Sequence, residues 1–327
     1  MGKTLDNVLK AMEKRFSKEA VRTLESAPIE IKRIPTGSKD LDDKIGGGYP
    51  VGRIIEILGG EAVGKTTLAL SAIVKAQELG LICAIVDSEH ALNKEYAQNL
   101  GVDTSKLIIS QPGTGEEALN IVEELCRSGA DLVVVDSVAT MTPEKEIQGE
   151  MEDNNIGLQA RMMSKGLRKI TPAASDSDTT ILFINQFRTK IGAYGDPNVG
   201  TGGMALPYYA SVRLKMYASK LENTKKERIG SRVKIKVAKN KTASPYRTAE
   251  YSLIFGVGID ELRDTIDMAV YEGLIVKSGS WYKYDDGTSL GQGVEGVRDV
   301  LKDNPDLLDD IEIRLEEIRL EEMKNGN

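Results

Sequence analysis

The segment RIIEILGGEAVGKTTL (53–68) places a glycine-rich loop between an apolar run and a helical pattern. Its centre, Gly59-Gly60-Glu61-Ala62-Val63-Gly64-Lys65-Thr66, has the spacing G-x-x-x-x-G-K-[ST]. In that spacing the glycines let backbone N–H groups close around phosphate oxygens, the lysine neutralises β/γ-phosphate charge, and the threonine hydroxyl ligates Mg²⁺. Because a strand precedes the loop and a helix follows it, the segment predicts a nucleotide site rather than a purely structural loop.

Outward from this loop, apolar runs and helical patterns alternate. Continuous apolar runs predict strands at 53–58, 81–87, 131–138 and 180–186, with helices at 65–79 and 116–127. Such strands, separated by helices, are typical of a parallel sheet covered on both faces. Later segments at 212–217, 232–237 and 249–255 alternate apolar and polar residues, which indicates antiparallel or edge strands. We therefore predict an α/β fold, a P-loop NTPase core with a mostly parallel sheet flanked by helices.

The two ends of the chain differ from this core. Apolar residues at helical spacing predict one amphipathic N-terminal helix, carrying Leu5, Val8, Leu9, Met12, Phe16, Ala20, Val21 and Leu24. Pro28 and Pro35 bracket an extended link after it. Beyond Gly258, short helices and a turn-rich piece at 281–293 indicate a small C-terminal domain that ends in a helix at 307–323. The predicted division is an N-terminal helix and linker (1–30), a core (31–260) and a C-terminal domain (261–327).

Charge is distributed unevenly along the 327 residues, although the net charge is only −7. Residues 186–250 carry 14 basic and 4 acidic side chains, whereas residues 251–327 carry 8 basic and 18 acidic ones. A basic segment inside an acidic protein indicates a polyanion partner, and the alternative is a solvated surface.

Composition excludes several classes of protein. No run of 18 apolar residues is present, and the N-terminus has no apolar core of the kind that a secretory signal needs. Cys83 and Cys126 have no motif spacing, so we expect buried reduced thiols and a cytoplasmic location. The single histidine, His90, excludes a His-rich metal site, and its role is either structural or beside the active site.

Polar residues follow three of the predicted parallel strands. Asp136 ends one strand, where a carboxylate orients Mg²⁺ through water, although a helix cap is the alternative. Glu89 lies two residues beyond Asp87 and is placed to polarise a water molecule, unless it is only a solvated loop carboxylate. Gln186 ends a third strand and precedes a basic, glycine-containing loop at 187–203. An amide there senses a γ-phosphate, and the alternative is a plain surface loop.

The strand at 232–237 contains a break in its alternation. Arg232, Lys234 and Lys236 share one face, but Lys239 and Lys241 take the parity of the apolar face. Charges there are costly unless the strand has ended or an anion pairs with them. Both explanations remain open at this point.

These stretches together resemble the bacterial RecA recombinase family over essentially the whole chain. The matching segments are IPTGSKDLD (34–42), GGEAVGKTTL (59–68), VDSEHAL (86–92), QPGTGEEAL (111–119), VVVDSVATMTPEKEIQGE (133–150), GLQARMMSKGLRK (157–169), FINQFRTKIG (183–192), TGGMALPYYASVRL (201–214), VAKNKTASPY (237–246) and GSWYKYDDGTSLGQG (279–293). The resemblance implies a DNA-dependent ATPase with Mg²⁺ that forms a helical filament on single-stranded DNA. It also implies pairing with homologous duplex, strand exchange, a role in DNA repair, and single-strand-binding and mediator proteins as partners.

The resemblance also implies roles for individual residues. Glu89 matches the catalytic carboxylate, Gln186 the ATP-sensing residue, and Lys239 and Lys241 the lysines that reach ATP on the adjacent subunit. Tyr96 matches the tyrosine that stacks on adenine, and the nucleotide-binding set extends to Thr67, Asn93 and Gly256. Residues 146–157 and 187–203 match the two DNA-binding loops, with DNA contacts expected from Arg161, Arg168, Arg188, Lys190, Gly202 and Gly203.

Several features depart from the family's pattern. Met204 stands where an asparagine is usual, Pro207 where a lysine is usual, and Asn93 where an aspartate is usual. The second loop is one residue shorter, and the longer acidic tail of cellular members is missing, which favours a divergent or phage-borne copy.

Two other functions remain as alternatives to a recombinase. One is an ATP-gated filament that coats DNA or recruits partners, with hydrolysis incidental. The other is a hexameric helicase, against which the TGGMAL and WYKYDDG segments argue.

Overall fold

The computed structural model describes residues 4–16, 21, 23, 25, 31–150, 155, 157–189, 198–222 and 225–324. The chain separates into two units, residues 1–32 and 33–327. Among the described helices, none combines the length and apolar character that crossing a lipid bilayer requires.

The first unit contains one short helix, α1 (Leu5–Glu13), whose N-cap Thr4 accepts a hydrogen bond from the Asn7 backbone N–H. The prediction of a single helix as far as Leu24 was wrong in extent, because the chain turns after Glu13 and Val21 lies in a bend. No residue of α1 is buried. A short helix without a buried face depends on propensity alone, which is marginal in water. Ala20 and Leu24 lie outside the described residues.

The second unit is built on one long sheet. A short pair, β1 (Arg33–Ile34) and β2 (Tyr49–Pro50), precedes it. The strands of the long sheet are β3 (Ile54–Gly59), β4 (Cys83–Asp87), β5 (Leu107–Ser110), β6 (Leu132–Asp136), β7 (Thr180–Thr189), β8 (Asn198–Gly200), β9 (Val212–Glu222), β10 (Arg228–Asn240), β11 (Thr248–Ile254) and β12 (Gly258–Ile259).

The strand order is β12-β11-β10-β9-β3-β7-β6-β4-β5, with β8 pairing to β7. Strands β9, β3, β7, β6, β4 and β5 pair in parallel, and β9 to β12 pair antiparallel. The predicted mostly parallel α/β sheet with an antiparallel extension is therefore confirmed.

Helices cover both faces of this sheet and complete two apolar cores. On one face α3 (Lys65–Glu78) packs against β3 through residues such as Leu68 and Ile73. On the other face α5 (Gly115–Arg127) and α7 (Leu158–Asp176) pack against β6 and β7. Shorter helices are α2 (Lys39–Ile45), α4 (Lys94–Asn99), α6 (Glu144–Gln148) and α8 (Ala205–Tyr209). Covered on both faces, the central strands are mostly apolar, as the sequence pattern predicted, with Glu56 in β3 and Asn185 in β7 as buried polar exceptions.

The C-terminal part has an apolar core of its own, which includes Ile266, Tyr282, Leu301 and Ile311. It consists of α9 (Glu261–Tyr271), the antiparallel strands β13 (Ile275–Ser278), β14 (Trp281–Tyr284) and β15 (Ser289–Gln292), α10 (Gly293–Asp303) and α11 (Pro305–Lys324). Ser38 Oγ donates to Asp264 Oδ2 at 2.7 Å and so links α2 to α9.

The alternation break in β10 is a register shift. The strand continues to Asn240, so the explanation that it ends before Lys239 was wrong. Val237 pairs with Leu214, and the next pair is Lys239 with Arg213, which leaves Ala238 as an extra residue. Such a bulge reverses the faces of the residues after it. Lys239 therefore shares the face of Arg213 rather than that of Val237.

Candidate active site

A cavity of about 300 Å³ lies at the carboxyl ends of β3, β6 and β7, beside the first turn of α3. It is lined by Glu61, Ala62, Val63, Gly64, Lys65, Thr66, Thr67, Glu89, Tyr96, Asp136, Gln186, Ser231, Leu253 and Phe255. The carboxyl edge of an open parallel sheet is where α/β proteins bind ligands. Eleven of the predicted site residues therefore surround one cavity, although they come from four separate stretches of sequence.

The glycine-rich loop leaves the N-terminus of α3 open towards this cavity. Gly64 adopts φ +93°, which favours glycine, and it caps α3 without a side-chain hydrogen bond. The first N–H groups of an uncapped helix form a site for an anion, which the helix dipole reinforces. Gly59 and Gly60 do not line the cavity, but their carbonyl oxygens accept hydrogen bonds from Lys65 Nζ at 3.4 Å and 2.5 Å.

Lys65 is 9% exposed and carries the charge that a phosphate would pair with. Burial lowers the pKa of its ammonium group, whereas Asp136, Glu89 and Glu61 raise it. The local carboxylates thus oppose the effect of desolvation and favour the charged form of the lysine.

Thr66 and Asp136 form the candidate Mg²⁺ site. Thr66 Oγ1 donates to Asp136 Oδ2 at 2.6 Å. Burial raises the pKa of Asp136 to about 6, while the Thr66 hydrogen bond lowers it and the charge on Glu89 raises it further. A hydroxyl and a carboxylate are oxygen ligands that suit Mg²⁺, which in nucleotide sites keeps several waters and binds phosphate as well. The described residues contain no cluster of three or more His, Cys, Asp or Glu side chains that could hold a metal ion alone.

Glu89 is held from two sides at the edge of the cavity. Its Oε1 accepts a hydrogen bond from Ser137 Oγ at 2.7 Å and from Gln186 Nε2 at 3.2 Å. Asp87 supports the loop that carries Glu89, because its carboxylate accepts from the Leu92 backbone N–H and from Gln111 Nε2. Sequence reasoning missed Ser137, although its position directly after Asp136 at the end of β6 was a usable signal. His90, at φ +54°, is not among the lining residues.

Tyr96, Leu253 and Phe255 supply an aromatic and apolar part of the cavity lining. Tyr96 Oη lies 2.7 Å from Thr67 Oγ1. Asn93 does not line the cavity, but it caps α4, the helix that carries Tyr96, by accepting from the Tyr96 backbone N–H at 2.9 Å. Gly256 is likewise not a lining residue. The lining residues Ser231, Leu253 and Phe255 were not predicted, although Phe255 adjoins Gly256 at the end of β11.

The structure does not bring Lys239 and Lys241 to the cavity of their own chain. Lys239 Nζ donates to the carbonyl oxygens of Pro207 and Tyr208, both at 2.9 Å. Burial lowers the pKa of Lys239, and the charges on Lys241 and Arg213 lower it further. Position 207 contributes its backbone carbonyl to this hydrogen bond, an acceptor that every residue type has.

The predicted DNA-contacting residues that the structure describes lie on α7, near the end of β7 and directly after β8. Arg161 and Arg168 are exposed on α7, and Arg188 is exposed on β7. A Cβ on Gly203, which has φ +77°, would lie 2.7 Å from Ala160 Cβ, so the end of the second loop packs closely on the first turn of α7. Gly202 packs against Val138. Lys190 lies outside the described residues, as do 151–154, 156 and 191–197 of the two predicted loops.

Comparison with known proteins agrees with this geometry. The model of the RecA N-terminal domain matches residues 3–260, and that of the RecA C-terminal domain matches residues 263–319. The protein RecA of Frankia casuarinae is 51% identical over 319 residues, which cover 96% of this chain and 92% of that protein. The protein RecA of Acidothermus cellulolyticus is 51% identical over 321 residues, with the same shares covered.

The protein RecA of Streptomyces avermitilis is 50% identical over 319 residues, or 96% of this chain and 84% of that protein. Two domain models thus account for nearly the whole chain, and half of the aligned residues are identical to those of full-length relatives. The chain therefore belongs to the RecA family, the DNA-dependent ATPases that act in recombination and repair.

Proposed function

We propose that this chain forms a filament on single-stranded DNA, pairs it with homologous duplex and exchanges strands, with ATP and Mg²⁺ bound at the cavity described above. The observation that carries the proposal is the position of Glu89, which Ser137 and Gln186 hold at the edge of the phosphate-loop cavity. A general base must be oriented before it can abstract a proton from an attacking water.

In this proposal the polar residues that line the cavity bind phosphate, hold the metal ion or take part in hydrolysis. The N–H groups of the glycine-rich loop and Lys65 bind the phosphates, while Thr66 and Asp136 hold Mg²⁺, Asp136 through water. Bound Mg²⁺ would neutralise the charge that develops on the phosphate oxygens. Glu89 accepts the proton of the attacking water. Gln186, which donates to Glu89 here, is placed to donate to a γ-phosphate oxygen instead.

The site is completed by a second copy of the chain. Lys239 and Lys241 are basic, lie on a strand end and do not line the cavity of their own chain. The pairing of Lys239 Nζ with two backbone carbonyls leaves a positive charge that an anion on a neighbour would neutralise. We assign them to the phosphates bound by the adjacent subunit, so that ATP holds two subunits together.

DNA binding is assigned to the basic segment and the two loops at 146–157 and 187–203. Arg161, Arg168, Arg188 and Lys190 would meet backbone phosphates, and Gly202 and Gly203 would allow the backbone to approach DNA. Such contacts predict binding that is independent of sequence and sensitive to salt. We assign the contact between subunits to residues 1–30, the ATPase core to residues 31–260 and the C-terminal domain to residues 261–327.

The buried free cysteines Cys83 and Cys126 support a cytoplasmic location. Single-strand-binding and mediator proteins are the partners that this function needs.

One experiment tests the central claim, namely ATP turnover with and without single-stranded DNA, combined with electron microscopy of the same samples. We expect DNA to stimulate turnover and ATP to produce helical filaments. Turnover that is indifferent to DNA would contradict the proposal, and closed rings would favour a helicase.

Two variants separate a recombinase from a passive filament. Lys65→Ala should abolish ATP-dependent DNA binding in either case. Glu89→Gln should leave filament assembly intact. In a recombinase that uses hydrolysis it should block filament turnover and strand exchange, whereas in a passive filament it should have no such effect.

A further inference from the structure

A buried polar junction lies next to Gln186, where β7 leads into the second loop. Its central residues Glu56, Asn185 and Thr201 are 0%, 0% and 5% exposed. Asn185 Nδ2 donates to Glu56 Oε1 at 3.0 Å and to the Thr201 carbonyl at 3.1 Å. Asn185 Oδ1 accepts from the Thr201 hydroxyl at 2.5 Å and from the Gln186 backbone N–H at 2.9 Å. One amide therefore uses all four of its hydrogen-bonding positions, and these join Glu56, Gln186 and Thr201.

Glu56 fixes the orientation of this amide. Its Oε2 accepts from Arg213 Nε at 2.5 Å, so the buried carboxylate is paired. Because an ionised carboxylate only accepts hydrogen bonds, Asn185 must turn its NH₂ group towards Glu56. Its oxygen is then committed to Gln186 and Thr201.

The close approach of the loop end depends on a glycine. A Cβ at Gly200 would lie 2.5 Å from Asn185 Nδ2 and 3.1 Å from Glu56 Oε1. The chain that returns at β8 therefore rests directly on the Asn185–Glu56 pair, with no side chain between them.

We propose that Asn185 and Thr201 are positioning residues that couple the returning end of the second loop to Gln186 and hence to Glu89. The inference rests on the proposed function, because that function gives Gln186 its nucleotide-sensing role. When the Gln186 amide changes partner, any shift of its backbone alters the bond to Asn185, and Asn185 holds Thr201 by two further bonds. Thr201 leads directly into Gly202 and Gly203, which pack on Val138 and Ala160.

The coupling must act in both directions. A ligand that fixes Gly202 and Gly203 would also fix Gln186, because coupling between two sites is reciprocal. DNA bound to the second loop is thus connected to the catalytic carboxylate in two ways. One connection runs along the chain from Gln186 into the loop, and the other runs from the returning end of the loop through Thr201 and Asn185.

A pair of variants at Thr201 tests the junction. Thr201→Val removes the hydroxyl donor with little change of shape, and Thr201→Ser keeps the donor. We expect the ratio of DNA-stimulated to DNA-free turnover to fall by about fivefold to tenfold in Thr201→Val, the effect of one buried hydrogen bond. In Thr201→Ser the ratio should stay within about twofold of the original, because the bond is kept. ATP affinity and the thermal midpoint, measured on each variant, show whether the site is still folded.

The outcomes distinguish this inference from the proposed function. If the unmodified chain shows no stimulation by DNA, both fail. If the unmodified chain is stimulated and Thr201→Val is stimulated equally, only the coupling role is wrong.

A second measurement follows the junction in the unmodified chain. Hydrogen exchange of the unmodified chain, with and without a non-hydrolysable ATP analogue, should change protection at Gln186 and at 200–203 together. Protection that changes at Gln186 alone would overturn the proposal. Gly200→Ala should reduce the joint response, because its Cβ would lie 2.5 Å from Asn185 Nδ2. Gly113→Ala is the control and should leave the response unchanged, because a Cβ there meets only Glu117 Oε2 at 3.7 Å.

Discussion

Thr66 Oγ1 and Asp136 Oδ2 lie 2.6 Å apart, and this hydrogen bond joins the first turn of α3 to the end of β6. The residues are separated by 70 positions in sequence. Their contact places the two oxygen ligands proposed for Mg²⁺ side by side in the cavity that also contains Lys65 and Glu89.

Binding of Mg²⁺ with ATP should weaken at acid pH. Burial raises the pKa of Asp136 to about 6, so the carboxylate is ionised above that pH and protonated below it. Since the ionised form is the one that orients the metal, affinity should fall as pH decreases through about 6. Calorimetric titration with Mg-ATP between pH 5 and pH 8 measures the effect. In Asp136→Asn the affinity should be low and much less dependent on pH, and an unchanged pH profile in that variant would exclude Asp136 as the cause.

Loss of the Glu89 carboxylate should stop turnover without preventing binding. Glu89→Gln retains an acceptor for Ser137 but cannot take up a proton, so we expect turnover to fall by about 10²- to 10⁴-fold. Single-turnover ATP hydrolysis and equilibrium nucleotide binding provide the two measurements. Glu95→Gln, an exposed position on α4, is the matched control and should behave as the original chain. Comparable loss in both variants would remove Glu89 from the proposed role.

The ring of Tyr96 should contribute to adenine binding more than its hydroxyl does. Tyr96→Ala removes a stacking surface from the cavity wall and should weaken ATP affinity by about threefold to tenfold. Tyr96→Phe loses only the hydrogen bond to Thr67. Its change in the free energy of ATP binding should be less than half of the change in Tyr96→Ala. Fluorescent-nucleotide competition with ATP and with triphosphate alone checks this. A similar loss for triphosphate would mean that the ring does not contact the base.

Gly230 should be intolerant of any side chain. A Cβ there would overlap the Leu253 carbonyl oxygen on the neighbouring strand, next to the cavity residue Ser231. We expect Gly230→Ala to destabilise the chain by about 2–3 kcal/mol through displacement of β10 from β11. Gly113→Ala, which has space for the methyl group, is the control. Urea unfolding of both variants gives the comparison, and equal stabilities would contradict the packing described here.

The contact between α2 and α9 should make stability depend on pH. Burial raises the pKa of Asp264 from the ordinary aspartate value of 3.8 to about 7. The folded state then holds the proton more tightly than the unfolded state, so stability is lost as pH rises from about 4 to about 7, by at most about 1.4 kcal/mol per pH unit. Asp42, whose pKa burial also raises to about 7, adds to the same trend.

Asp264→Asn keeps an acceptor for Ser38 without a charge. Its stability relative to the original chain should therefore improve between pH 5 and pH 8, as measured by urea unfolding at both values. Asp309→Asn, exposed on α11, should show no such improvement. A constant difference across this range would refute the linkage.

Local pattern was sufficient to predict much of the fold. Apolar runs predicted the parallel strands, because a strand buried on both faces carries few polar residues in its central part. The phosphate loop was predictable for a related reason, since residues within eight positions of one another supply the glycines, the lysine and the hydroxyl. The first helix was predicted too long because periodicity describes a face without showing whether anything covers it.

Contacts between distant residues could not be predicted in this way. The sequence indicated that Glu89 follows one strand and that Gln186 ends another, whereas β7 continues to Thr189. It did not indicate that Ser137 holds Glu89 or that Phe255 forms part of the cavity wall. Those contacts depend on the order and direction of the strands, which bring the carboxyl ends of β11 and β7 to the same side of the sheet as the carboxyl end of β3. The parity of Lys239 likewise depended on a bulge that appears only when β10 is paired with β9.

The sequence by itself therefore determined the ligand class and the family, because phosphate binding and strand burial depend on residues that are close along the chain. Tertiary structure decided how the site is connected. The Asn185 amide meets Thr201, Glu56 and the Gln186 N–H because parallel pairing of β3 with β7 and the return of the chain at Gly200 bring them within hydrogen-bonding distance. Hydrogen bonds act only over about 3 Å, so a pattern of residue types cannot specify them until the strands are in register.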